Sequence, residues 1–145
     1  MSRIVSFRGL IASGEQDTVP LHTTDGSTGY KITKFQIFPG DPGSEHYEAT
    51  LKIYKTSQAT VDNTVDFSDQ RLLAAAYYQD DNAKHYMSSD TVVFDSEKFN
   101  QDIYVTYIGT DGATAAMNYY IELEQMSLDL NENTVATLKD IRNLA

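Results

Sequence analysis

An all-β fold is what this sequence predicts: an antiparallel, jelly-roll-like β-sandwich of about eight strands, closed by a short C-terminal α-helix. Three observations predict it. Apolar and polar side chains alternate with period two through most of the chain. Glycine, proline and Asp-Gly signals separate the alternating stretches. A helical period appears only after residue 131.

The opening stretch from Ile4 to Ile11 is rich in β-branched and aromatic residues, and Thr18 to His22 makes a second short strand. Asp25-Gly26 then reads as a tight turn, since this pair reaches positive φ at little cost. Between Gly29 and Phe38 the apolar positions are Tyr30 and Ile32, then Phe35 and Ile37, so the alternation changes phase across Thr33-Lys34 and predicts a β-bulge there. Pro39-Gly40-Asp41-Pro42-Gly43-Ser44 is too rich in breakers for a helix or a central strand and reads as an exposed loop. Tyr47 to Ile53 alternates cleanly, odd positions apolar and even ones polar, as a strand half-buried against a core does. Leu72 to Tyr78, Thr91 to Phe94 and Ile103 to Ile108 follow as strands, with Asp111-Gly112 as the next turn. Met117 to Glu124 repeats the odd-in pattern with Asn118, Glu122 and Glu124 turned the other way. Beyond Asn131-Glu132-Asn133, the residues Val135, Leu138, Ile141 and Leu144 recur every three positions, which predicts an amphipathic helix of about three turns. Such a short helix is marginal alone, so its apolar stripe must dock on the sandwich or on a neighbouring subunit. The organisation expected is therefore a β-sandwich over residues 1–130 and the helix over 131–145. The Thr-Asp-Gly triplets at 24–26 and 110–112 have unrelated flanks and make no repeat.

With 145 residues and 41% hydrophobic content, the chain can build one core but not two. No cysteine is present, which removes disulfides, thiolate nucleophiles and thiolate metal sites together. The 21 acidic residues against 11 basic ones give a net charge of −10. That balance repels phosphate backbones, so nucleic acid is not an expected partner. The acids are spread along the chain, as on a solvated surface that keeps a protein soluble. The first residues lack the apolar run of an export signal, and no uncharged stretch approaches the roughly 20 residues needed to cross a bilayer, so no membrane role is expected.

Chemistry-bearing clusters are few. His22, His46 and His85 lie in unrelated segments and none sits in a metal-binding spacing. Ser44-Glu45-His46 holds the residue types of a nucleophilic triad, but neighbours in sequence do not reach triad geometry and no Gly-x-Ser-x-Gly elbow accompanies them. Asp80-Asp81-Asn82 and the loop around Asp25 carry oxygen ligands that could bind calcium, but without the EF-hand pattern a plain solvated turn is the better explanation. No cofactor is expected, and no enzyme. Tyrosine is the unusual count, ten against six phenylalanines and no tryptophan. Tyr77-Tyr78, Tyr104, Tyr107 and Tyr119-Tyr120 fall on both phases of their strands, so some must point outward as anchors for a protein interface or, less well without tryptophan, as platforms for a sugar.

The run Phe94-Asp95-Ser96-Glu97-Lys98-Phe99-Asn100-Gln101-Asp102-Ile103-Tyr104-Val105-Thr106, the segment Asn118 to Glu124, and Ala136-Thr137-Leu138-Lys139-Asp140-Ile141-Arg142 resemble small virion structural proteins of marine tailed bacteriophages. Gly29-Tyr30-Lys31-Ile32 and Val65-Asp66-Phe67-Ser68-Asp69 extend the likeness over most of the chain. It is a likeness of pattern that carries no catalytic motif. What it implies is a non-enzymatic component made in the host cytoplasm and present in many copies on the virion surface. A head decoration (cement) protein fits first, with a tail or fibre-associated protein as its alternative; apart from the resemblance, exposed tyrosines and acidic loops on a sandwich scaffold leave a lectin-like carbohydrate-binding module as a further alternative. The implied partners are further copies of the chain and the major capsid or other virion proteins. The implied contacts are the N-terminal segment with Arg3, Val5 and Phe7, the loop with Pro39 and Pro42, the tyrosines Tyr78 and Tyr120, and the helix stripe Val135, Leu138 and Ile141.

Overall fold

The computed structural model describes residues 3–23, 26–42, 47–80, 87–110 and 115–128. They form eight strands: β1 (Arg3–Ile11), β2 (Gln16–Val19), β3 (Thr28–Pro39), β4 (Glu48–Tyr54), β5 (Leu72–Asp80), β6 (Met87–Val93), β7 (Ile103–Gly109) and β8 (Met117–Ser127). Two antiparallel sheets result, one in the order β1-β8-β3 and the other in the order β2-β7-β4-β5-β6. The predicted C-terminal helix, with Val135, Leu138 and Ile141, lies outside the described residues.

Each sheet is apolar on the face that meets the other, and period two explains which residues are there. The three-stranded sheet contributes Val5, Phe7 and Ile11 from β1, Met117, Tyr119, Ile121 and Leu123 from β8, and Tyr30, Ile32, Phe35 and Ile37 from β3. The five-stranded sheet answers with Ala49, Leu51 and Ile53 of β4, Ala74 and Ala76 of β5, and Ile103, Val105 and Tyr107 of β7. At roughly 1.5–3 kcal/mol for each large apolar side chain buried, this shared layer is the main stabilising term. The phase change in β3 is a register shift between Ile32 and Lys34, as the Thr33-Lys34 pattern predicts. It returns Phe35 and Ile37 to the interior, which an unbroken strand would have turned to solvent.

Polar staples fix how the two sheets sit. Tyr119 on β8 crosses the interior and donates to Asp17 Oδ2 on β2 at 2.9 Å. Its ring fits because β1 has Gly9 directly opposite, where a Cβ would lie 2.7 Å from the Tyr119 hydroxyl. Tyr107, fully buried, donates to the Ala115 carbonyl at 2.6 Å, and the hydroxyl of buried Tyr47 accepts the Asp41 N–H at 3.0 Å. Buried tyrosines thus tie strand ends while contributing ring area to the core.

The structure corrects the sequence reading at three places. In β4 the even positions are not solvated: Thr50, Lys52 and Tyr54 are buried like their odd neighbours. The cause is the long β4–β5 connection, which folds back over the outer face of the sheet and brings Asp62 and Thr64 onto Lys52 Nζ at 2.9 and 2.6 Å. The second strand is Gln16–Val19 rather than Thr18 to His22. Pro20 lacks a ladder N–H, and the N–H groups of Leu21 and His22 go to Asp102 Oδ1 instead, at 2.8 and 2.9 Å. The sixth strand begins at Met87 and ends at Val93, earlier than the Thr91 to Phe94 predicted.

Of the six strand pairings among the described residues, β1 with β8, β2 with β7 and β4 with β5 each sum to nine, and the other three sum to eleven. The remaining member of the sum-nine set, β3 with β6, is partly met. The chain just after β6 returns to β3, where Tyr30 and Phe99 exchange backbone hydrogen bonds of 2.8 and 2.9 Å.

Candidate protein-binding face

The outer face of the three-stranded sheet can be written row by row from the strand register. The rows across β1, β8 and β3 are Leu10–Asn118–Phe38, Arg8–Tyr120–Gln36, Ser6–Glu122–Lys34 and Ile4–Glu124–Lys31. Three large apolar side chains stand on this face largely in water: Ile4 is 57% exposed, Leu10 60% and Phe38 62%. Leu10 and Phe38 flank Asn118 as two posts, with Tyr120, Arg8 and Gln36 in the next row, and together they line a concavity of about 600 Å³. Apolar rims around a half-buried tyrosine, with guanidinium and amide groups interspersed, make the surface chemistry of protein interfaces.

The lower rows of the same face are held by charge. The Tyr120 hydroxyl donates to Glu122 Oε2 at 2.7 Å, which orients the ring along β8 and raises the phenol's pKa. Lys31 and Glu124 pair across β3 and β8 at 3.2 Å. With Arg8, Lys31 and Lys34 against Glu122 and Glu124, this face is close to neutral on a chain whose net charge is −10. Another acidic protein therefore meets little net repulsion there.

A second hollow of about 310 Å³ lies on the outer face of the five-stranded sheet, under the β4–β5 connection. Its floor is Thr50 and Ala75, Phe67 and Tyr77 stand at its sides, and Glu48 and Asp90 bring carboxylates. Phe67, 54% exposed, is steadied edge-on by Phe94 at 5.4 Å. Burial first, and then the neighbouring Glu48 carboxylate, push the Tyr77 phenol up.

The polar constellations named from sequence serve local structure where they are described. His22 Nδ1 lies 2.7 Å from Asp102 Oδ1, the geometry of a base and its orienting acid. The same oxygen also accepts the N–H groups of Leu21 and His22, so the pair terminates β2. Burial acts to raise the Asp102 carboxyl, but these bonds outweigh it and hold the group below its ordinary range. Asp80 Oδ1 accepts the Tyr47 N–H at 3.1 Å. His46, His85, Asp81, Asn82, Ser44 and Asp25 lie outside the described residues. Among the described residues, no three histidine or carboxylate side chains gather as a metal ion would require.

Of the contact residues named from sequence, Arg3 is exposed at the start of β1 and its Nε donates to Gln125 at 3.2 Å. Val5 and Phe7 are half-buried and pack on the core from β1. Pro39 is buried at the end of β3, and Pro42 is exposed beyond it. Tyr78 faces inward, edge-on to Tyr47 at 6.3 Å, while Tyr120 stands on the outer face described above. The structure therefore brings Tyr120 together with Asn118, which the alternation places on the outer phase, and with Arg8, Leu10 and Phe38, which the sequence does not mark as contacts. The signal was available. Ile4 and Leu10 are out of phase with Val5, Phe7 and Ile11, and Phe38 is out of phase with Phe35 and Ile37. An apolar residue on the polar phase of a half-buried strand marks an outer-face contact. Compared with known proteins, the chain matches no family model and no curated protein sequence.

Proposed function

We propose that the chain is a non-enzymatic structural protein of a phage virion, a head decoration protein that sits on the capsid surface through protein–protein contacts. The observation that carries the reading is the outer face of the β1-β8-β3 sheet, where Leu10 and Phe38 stand exposed around Tyr120 and Asn118 and Ile4 is exposed at the far end of the same face. Leaving such side chains in water is unfavourable in an isolated domain and favourable in one that is covered on assembly. The sequence resemblance to small virion proteins supports the particle as the place of assembly. Strand pairings that sum to nine support a jelly-roll architecture, which capsid and lectin domains both use. A tail or fibre position satisfies the same contacts. The test is cosedimentation of the purified chain with particles of a tailed phage whose genome encodes it. Saturable binding that Leu10→Asp and Phe38→Asp abolish is the expected result; chain that stays in the supernatant at every concentration refutes the reading.

A second reading, a carbohydrate-binding module, is favoured by the hollow under the β4–β5 connection. Phe67 and Tyr77 offer ring faces there, and Glu48 and Asp90 can accept from sugar hydroxyls. Glycan-array hits lost in Phe67→Ala would support it, and an array without hits, with and without calcium, would remove it.

A further inference from the structure

We infer that β1 is a self-pairing edge: two copies of this chain join antiparallel, β1 to β1, about a two-fold axis at Phe7, giving one continuous six-stranded sheet. The inference builds on the assembly reading above and adds the partner, the strand and the register.

The four sheet edges are not alike. An edge strand offers unpaired N–H and C=O groups to any extended chain, and folded proteins blunt such edges with short length, bulges, lysine, proline or a covering segment. The β2 edge is only four residues long. The β3 edge carries a bulge at Thr33, Lys31 and Lys34, a terminal Pro39, and the Tyr30–Phe99 bridge. The β6 edge carries Asp90 at its centre. β1, among the described residues, is the least protected: over nine residues it pairs with β8 on one side and contains no proline, lysine, bulge or acid, its only charges being Arg3 and Arg8.

Its sequence is also complementary to itself. Period two requires that paired residue numbers sum to an even value, so that inner side chains meet inner ones. A sum of 14 pairs all nine residues of Arg3–Ile11, with Phe7 opposite its own copy. In that register Ile4 of one copy faces Leu10 of the other, twice, and both of these exposed side chains gain an apolar cross-strand neighbour. Arg8 faces Ser6, a side chain small enough to reach past. Beyond Ser6 in the same row lies Glu122, about 10 Å away from strand to strand, within the span of an arginine and a glutamate. The neighbouring registers lose this. A sum of 16 sets Arg8 against Arg8, and a sum of 12 sets Ile4 against Arg8 and leaves Leu10 without a partner. β1 carries two arginines and no acid, so two copies of a chain of net charge −10 meet less repulsion there than at the β2 or β6 edge, which carry Asp17 and Asp90.

The test combines a mass measurement with a register-specific cross-link, using the full chain. Sedimentation equilibrium should give twice the 16.2 kDa chain mass. Ile4→Lys with Leu10→Lys places lysine opposite lysine at solvent-exposed positions, and should raise the dimer dissociation constant about tenfold or more with an unchanged far-ultraviolet circular dichroism spectrum. Ile4→Cys with Leu10→Cys, in a chain that has no cysteine of its own, should oxidise to a covalent dimer. Ile4→Cys alone should not, because the two copies of residue 4 lie six residues, about 20 Å, apart along the joint. A wild-type chain that stays monomeric at about 100 µM, a concentration well above the dissociation constants of ordinary stable dimers, overturns the inference. So does a dimer that survives the lysine pair, or a cysteine pair that fails to cross-link. A monomer that still sediments with particles removes this pairing and leaves the virion reading intact, whereas a cross-linked dimer that ignores particles does the reverse.

Discussion

Lys52 and Asp62 form an ion pair whose two ends sit in different surroundings, and that asymmetry fixes how the pair responds to mutation. The Lys52 side chain is 2% exposed, on the outer face of β4 beneath the β4–β5 connection, while that of Asp62 is 54% exposed. Lys52 Nζ donates to Asp62 Oδ1 at 2.9 Å and to the Thr64 carbonyl at 2.6 Å, with the Tyr54 ring centroid 5.3 Å away. Asp62→Ala therefore leaves a buried ammonium with the Thr64 carbonyl, the Tyr54 ring face and only the more distant Asp69 carboxylate as a counter-charge. Lys52→Met leaves a carboxylate that water can reach and keeps an apolar stem in the space. Breaking a fully buried pair from one side costs roughly 3–5 kcal/mol; because water already reaches Asp62, Asp62→Ala should cost about 2–3 kcal/mol. Lys52→Met should cost under about 1 kcal/mol, since an apolar replacement of similar volume removes the desolvated charge itself. The double variant should resemble Lys52→Met, as the interaction is already gone. Urea unfolding with a common slope measures all three. If Lys52→Met is the more damaging single change, or Asp62→Ala falls within about 0.5 kcal/mol of wild type, the reasoning on which end is buried is wrong.

The acid limb of stability should report the same pair. The hydrogen bond from Lys52 holds the Asp62 carboxyl below its ordinary value of 3.8. A depressed folded pKa means that the contribution is complete above the unfolded value and is lost as pH falls through the folded one, so Asp62→Ala should flatten unfolding curves taken below about pH 4. Thr106→Val should be neutral or stabilise by up to about 1 kcal/mol, because the Thr106 hydroxyl is buried without a hydrogen-bond partner among the described residues; a clear loss in thermal unfolding would reveal one. Tyr119→Phe should cost about 1–2 kcal/mol by leaving Asp17 without its inter-sheet donor, and a result near zero in urea would show that the bond is idle. Gly9→Ala should cost about 1–3 kcal/mol, since the new methyl meets the Tyr119 ring; in a Tyr119→Ala background the penalty should vanish.

Most strands were legible because they bury one face only, which period two records directly, while β4 and the first half of β5, buried on both faces, were legible from their residue types and the turn signals around them. The bulge in β3 was legible for the same reason, since Tyr30 and Ile32 demand one phase and Phe35 and Ile37 the other. The burial of Lys52 and Thr50 was not legible, because their burial comes from a connection distant in sequence with no period of its own. Lys55 shows the same effect: its side chain is 1% exposed and bound at 2.7 Å to Glu97, a residue between β6 and β7. The candidate face was half-legible. Tyr120 was marked by the tyrosine count, but Leu10 and Phe38 were absorbed into their strands as ordinary apolar residues. Only the register of β1 and β3 on β8 shows that they share a row with Asn118.

Electron microscopy of a whole particle, at a resolution that separates strands, tests the central claim most directly. The account predicts this eight-stranded domain repeated over the particle surface, with Leu10, Phe38 and Tyr120 covered by another subunit. A particle without the domain, or one in which that face is open to solvent in every copy, contradicts it.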